Sequence, residues 1–196
     1  LKAAGVIGGH ANDIFFTGIS RNGAQDFVER ISITGNTFHE TAGFAIFGQT
    51  RSQGITITGN TITGRDDATT MGGILIGLPG SSVPVMGGFT ISGNTLGRLK
   101  DGILIRSYDA AGVLSGVISN NVIYDIAHQQ DNAPTTGDFD SRGSKAIGLE
   151  RCKGVRVEGN EIRGVGDPWG TWTPTANVYP CPIYVLDSVE SSVVNN

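Results

Sequence analysis

The sequence has no apolar run approaching the roughly 20 residues that a helix needs to cross a bilayer, so no membrane insertion is expected. It has no basic run either. Lys and Arg number 14 against 18 Asp and Glu, for a formal net charge of −4. That balance argues against a nucleic-acid partner, whose phosphates dominate affinity. The two cysteines, Cys152 and Cys181, fit neither a metal nor a redox spacing, and a disulfide between them is left open. Three histidines, His10, His39 and His128, lie too far apart for a compact zinc motif and are read as loop residues, so no metal site is assigned to them. No glycine-rich segment opens a helix in the manner of a phosphate loop. The first residue is Leu1 rather than Met, and the chain is expected to be a segment of a longer one.

What is present is Gly, at 30 residues, and aliphatic residues at regular places. The 7 prolines added to those glycines stay below the roughly 25–30% that signals low complexity. A chain of 196 residues can bury a substantial single core.

One phrase recurs: ISITGNTF (31–38), ITITGNTI (55–62), FTISGNTL (89–96), GVISNNVI (116–123) and VRVEGNEI (155–162), with SSVVNN (191–196) as a shortened copy. DIFFTGIS (13–20) reads as a degenerate first copy. The phrase aligns Asn36, Asn60, Asn94, Asn121, Asn160 and Asn196 at spacings of 24, 34, 27, 39 and 36. The repeat is therefore about two dozen residues plus insertions. A second phrase falls between the copies: GFAIF (43–47), GGILIG (72–77), DGILIR (101–106), KAIGLE (145–150) and CPIYVL (181–186).

Both phrases alternate with period two, which in a strand sends every other side chain to one face. Ile31 and Ile33, Ile74 and Ile76, and Ile103 and Ile105 are expected inside, with Ser32, Thr34, Thr56 and Thr58 outside. Connections within the shortest repeat cannot hold a crossover helix, and none carries a 3.6-residue apolar stripe. The pattern predicts an all-β solenoid, a right-handed parallel β-helix of about six rungs forming one domain over 1–196, with long insertions on one side. The recurring Asn follows Gly at a tight bend, where Asn tolerates unusual backbone angles. Stacked rung on rung, its amide is expected to bond the next Asn, a structural role.

The repeat resembles those of the pectate-lyase-like superfamily of parallel β-helices over nearly the whole chain. That group includes polysaccharide lyases, pectin-degrading hydrolases, alginate epimerases and phage tailspikes. The resemblance specifies a fold, and one fold hosts many activities. The Asp-Pro-His-Asp motif of alginate C5-epimerases is absent, as are the Asn-Thr-Asp and Gly-His-Gly motifs of polygalacturonases. Resemblance to tailspikes implies a virion-associated or secreted location. It also implies a homotrimer, or assembly with other parts of a longer chain.

Extra length collects between the Gly-Asn strand and the next one, at 37–43, 61–73, 95–102, 122–145 and 161–182, whereas 150–154 and 187–192 are short. Insertions at one rung position project from one face, commonly the binding face. Aromatic faces pack on sugar rings and polar groups bind hydroxyls, so a polysaccharide or cell-surface glycan is the expected partner. Arg98, Lys100, Tyr124, His128, Trp169 and Trp172 are the candidate binding residues; both tryptophans equally serve to pin a long loop. Two carboxylates acting as acid and base, or acid and nucleophile, would cleave a glycosidic bond. The candidates are Asp66, Asp67, Asp101 and Asp125.

A lyase would instead need a base and a neutraliser of the sugar carboxylate, from Arg98, Lys100, Arg106 or His128. No cofactor is required, with Ca²⁺ on Asp66 and Asp67 the one candidate. The competing reading is a non-catalytic spike, fibre or adhesin segment. A small-metabolite enzyme fits poorly, because such sites are closed pockets. An ice-binding array fits poorly too, because Ser92, Ser119 and Glu158 interrupt the Thr column.

Overall fold

The computed structural model describes residues 13–16, 20–21, 24–25, 28–41, 43–48, 52–64, 72–77, 86–106, 115–127, 144–166 and 181–196. Among these residues there is no helix. The chain starts with β1 (Ile14–Phe16) and a small antiparallel ribbon of β2 (Ser20–Arg21) and β3 (Ala24–Gln25). The first coil comprises β4 (Val28–Glu29), β5 (Ser32–Thr34), β6 (Thr37–Thr41) and β7 (Phe44–Gly48). The second runs β8 (Ser52–Thr58), β9 (Thr61–Gly64) and β10 (Gly72–Ile76), and the third β11 (Met86–Ser92), β12 (Thr95–Leu99) and β13 (Asp101–Arg106). The fourth has β14 (Gly116–Ser119), β15 (Val122–Ala127) and β16 (Lys145–Glu150). The fifth has β17 (Val155–Glu158), β18 (Glu161–Gly166) and β19 (Cys181–Leu186), and β20 (Ser192–Val194) opens another.

Each strand pairs in parallel with its counterpart one coil away, which builds three walls. The first sheet is β1-β7-β10-β13-β16-β19. The second is β20-β17-β14-β11-β8-β4, with β5 also on β8, and the third is β18-β15-β12-β9-β6. Parallel pairing in register, with one shift between His39 and Thr41 of β6, stacks like on like. Ile46, Ile74, Ile103 and Ile147 form one inward column, and Ile33, Ile57, Ile91, Ile118 and Val157 another. All lie in one continuous core. Burying each such side chain is worth roughly 1.5–3 kcal/mol, so the stacked columns dominate stability. Ile31 packs on the edge of that core, while Ser32 and Thr34 face solvent.

Between the second and third sheets every coil turns through the same two residues. The first adopts a left-handed backbone: Gly35, Gly59, Gly93, Asn120, Gly159 and Asn195 have φ between 49° and 68°. The second is the repeated Asn. Asn60 donates its side-chain amide to Asn94 Oδ1 at 2.9 Å, Asn94 to Asn121 Oδ1 at 2.9 Å, and Asn121 to Asn160 Oδ1 at 2.8 Å. The same Oδ1 atoms accept the backbone N–H of the preceding Asn, and each amide also reaches a carbonyl of the previous coil. Asn36 and Asn196 end the column with equivalent bonds. The amide's two donors and its carbonyl are all used, so hydrogen bonds offset the desolvation of this buried polar column.

The other corners vary. Segments 65–71, 128–143 and 167–180 join the third sheet to the first, while 78–85 and 107–114 lie between the first sheet and the second. Long connections thus border the first sheet at both margins and avoid the Asn corner. The flank expected from the sequence widens to the whole side that the first sheet occupies.

Candidate functional site

The third sheet breaks period-two alternation near its exit. In β12, Leu96 and Leu99 are buried while Gly97 and Arg98 lie between them. In β15, Ile123 and Ile126 are buried while Tyr124 and Asp125 lie between them. The cause is a left-handed residue at the second position: Arg98 at φ 57° and Asp125 at φ 51°. Glu40 and Gly164 take the same conformation in their coils, at 55° and 59°. Such a residue inserts an extra outward position, as a bulge does, and turns two neighbouring side chains outward together. For non-glycine residues this costs roughly 1–2 kcal/mol, so the stacking of neighbouring coils holds it in place.

The result is a two-column surface. The first column reads His39, Thr63, Gly97, Tyr124 and Arg163 in register. The second holds Arg98, then Asp125, then Gly164. The phenol end of Tyr124 lies over Gly97, where a side-chain carbon would stand only 2.1 Å from Cζ. Asp125 leans the other way, its Oδ1 3.0 Å from the equivalent point on Gly164. Arg98 is exposed and Tyr124 and Asp125 are half-buried. Lys100, also half-buried, occupies the single-residue turn from β12 into β13. Arg163 pairs with Glu161 beside it.

Four candidates from the sequence, Arg98, Lys100, Tyr124 and Asp125, therefore share one margin. Asp101 stands apart. It begins β13 on the first sheet, is only 5% exposed, and its Oδ1 accepts the backbone N–H of Lys145 at 2.9 Å. Burial raises its pKa above the ordinary carboxylate value, against the opposing pull of Lys145 and, more weakly, Lys100 and Arg106. Asp66, Asp67, His128, Trp169 and Trp172 lie outside the described residues. Among the described residues no group of three or more His, Cys, Asp or Glu is arranged to hold a metal ion.

Two features escaped sequence reasoning. Gly97 and Arg163 complete the outward column, and the only sequence signal for them is register with Tyr124. The outward side of the first sheet is also not bare. Phe44, Leu75 and Leu104 form a second apolar cluster joined by Phe47, Tyr184 and Leu186. Beside it Lys145, 1% exposed, places its ammonium 5.6 Å from the Tyr184 ring centre. Arg106, a lyase candidate, is 6% exposed and stands 3.8 Å from Glu150.

Three parallel walls closed by an amide column define a parallel β-helix. The sequence model of the family described as "Right handed beta helix region" matches residues 8–196, and the chain belongs to that family. Membership is compatible with a polysaccharide-active protein and with a structural one. No curated protein and no solved structure gave a significant match to the chain.

Proposed function

We propose that the chain recognises an extended extracellular polysaccharide laid along the coil axis over the outer margin of the third sheet, and depolymerises it. The observation that supports this most is the outward pairing of Gly97 with Arg98 and of Tyr124 with Asp125 on adjacent coils. It sets an aromatic body, a carboxylate and a guanidinium side by side on adjacent coils, the mixture that sugar rings and hydroxyls call for. The long connections leave from the same margin, which suits a face that needs variable, ligand-specific segments. The location belongs to this reading: extracellular, secreted or on a virion.

Cleavage would need a second carboxylate about 5–9.5 Å from Asp125. Glu40 shares its column but lies three coils away, about 14 Å at the usual parallel-strand spacing. Glu161 is engaged by Arg163. Asp66 or Asp67, on the connection that follows β9, would supply the partner. Asp101, the other described candidate, is 5% exposed and has an oxygen taken up by the Lys145 N–H, which favours one alternative, a β-helical spike, fibre or adhesin segment that binds without cutting, alone or as a homotrimer.

The test is electrophoresis through gels containing capsular or plant polysaccharides, paired with assays for reducing ends and for unsaturated-uronate absorbance. Retardation with product supports depolymerisation. Retardation without product on every retarding polymer selects the spike. No retardation and no product anywhere overturns both.

A further inference from the structure

The way Tyr124 meets Gly97 has more than packing in it. Tyr124 belongs to the fourth coil and Gly97 to the third, and they are register partners in the third sheet. An ordinary outward Tyr stands up from its strand. Here three ring atoms, Cζ, Cε2 and Cε1, come within 2.1–2.6 Å of the point that a Gly97 Cβ would occupy. Only glycine leaves that volume empty, so the ring lies down along the axis onto the preceding coil. Gly97 does not need to be glycine for its backbone angles, since its φ is not in the left-handed region. The space is what it supplies.

We infer that Gly97 and Tyr124 form a stacking platform for one pyranose unit of an extended glycan, with Tyr124 as the binding residue and Gly97 as the positioning residue. This rests on the glycan reading above and assigns its aromatic contact. A phenol held against a sheet offers its free side to the C–H face of a sugar, and being held already it loses little rotamer freedom on binding. Arg98 follows Gly97 and Asp125 follows Tyr124, both turned outward by the bulge, so polar groups flank the ring along the coil. Thr63 precedes the platform in the same column and Arg163 follows it, at steps of about 4.8 Å. A chain of sugars lying along the column would meet a hydroxyl, a ring and a guanidinium in turn.

The experiment is a double-mutant cycle on retardation by galactomannan, xyloglucan and polygalacturonate, with thermal unfolding measured beside it. Tyr124→Phe keeps the ring and should bind within about twofold of the unaltered chain. Tyr124→Leu should weaken the dissociation constant about tenfold on the polymer that binds best. Gly97→Ala should weaken it similarly when Tyr124 is present, because the methyl lifts the ring, and should have no further effect in the Tyr124→Leu background. That non-additivity separates placement of the ring from general loss of stability, which would act in both backgrounds. If Tyr124→Leu binds as well as the unaltered chain, or Gly97→Ala weakens binding equally in both backgrounds, the platform is wrong while glycan recognition stands. If none of these polymers, and none in the wider panel above, retards the unaltered chain, the glycan reading falls and the platform falls with it.

Discussion

Asp101 and Lys145 are joined through the main chain as well as through their charges: an Oδ1 of the acid accepts the backbone N–H of the lysine at 2.9 Å. Lys145 is where the chain rejoins the first sheet after segment 128–143, so a buried acid on one coil fixes the landing point of a long connection on the next. A raised folded-state pKa means that the native state holds this proton more tightly than the unfolded chain. Its stabilising contribution is present below the ordinary carboxylate pKa and is lost as pH rises through the raised value. Asp101→Asn keeps an oxygen acceptor and removes the titration. The melting temperature of the variant should therefore gain on that of the unaltered chain as pH rises from about 3.9 through the neutral range. A constant difference across that range would contradict the assignment.

Asn94 lies mid-column, buried, and accepts two bonds from Asn60 while donating to Asn121 and Ile57. Asn94→Ala strands those donors inside the wall and should cost about 2–4 kcal/mol in denaturant unfolding. Asn36→Ala, at the exposed end, should cost no more than about 1 kcal/mol. Equal losses would show that the column does not act cooperatively.

Cys152 is buried in the core, and desolvation pushes its thiol up to about 12, whereas Cys181 is half-buried, and the two are not bonded to each other. Reactivity needs the thiolate, so Cys152 should resist alkylation of the native chain at neutral pH. Mass spectrometry should find adducts on Cys181 first, and two adducts only after unfolding. Prompt native labelling of Cys152 would be the contrary result.

Asn120 takes the left-handed position that glycine fills in the coils on either side, at φ 54°. Asn120→Gly should be close to neutral, because both residues accept that conformation. Asn120→Ala should destabilise by about 1–2 kcal/mol. Calorimetry on the two variants compares them directly.

The amide column and the inward Ile rows were legible because a coil repeats its contacts. Asn36 to Asn196 recur in one phrase, and parallel register converts recurrence in sequence into stacking in space. The bulge at Arg98 and Asp125 was not legible. A non-glycine residue in a left-handed conformation leaves no mark on composition, and period-two reading gives Arg98 the inward side. Leu75 and Leu104 show a second limit. Alternation assigns them correctly to the outward face, yet they are 5% and 1% exposed. A pattern along one strand says which way a side chain points and nothing about what lies over it. Asp101 is a different case: the sequence places it on the connection 95–102, whereas it opens β13 and is only 5% exposed.

Because one corner always turns in two residues and is tied by its own amides, pairing along the whole tower is set there, coil after coil. Length can then be added or removed at the remaining seams without sliding any side chain past its neighbour. Such a scaffold lets surface segments diverge, or be exchanged outright, while the stack beneath them stays in step.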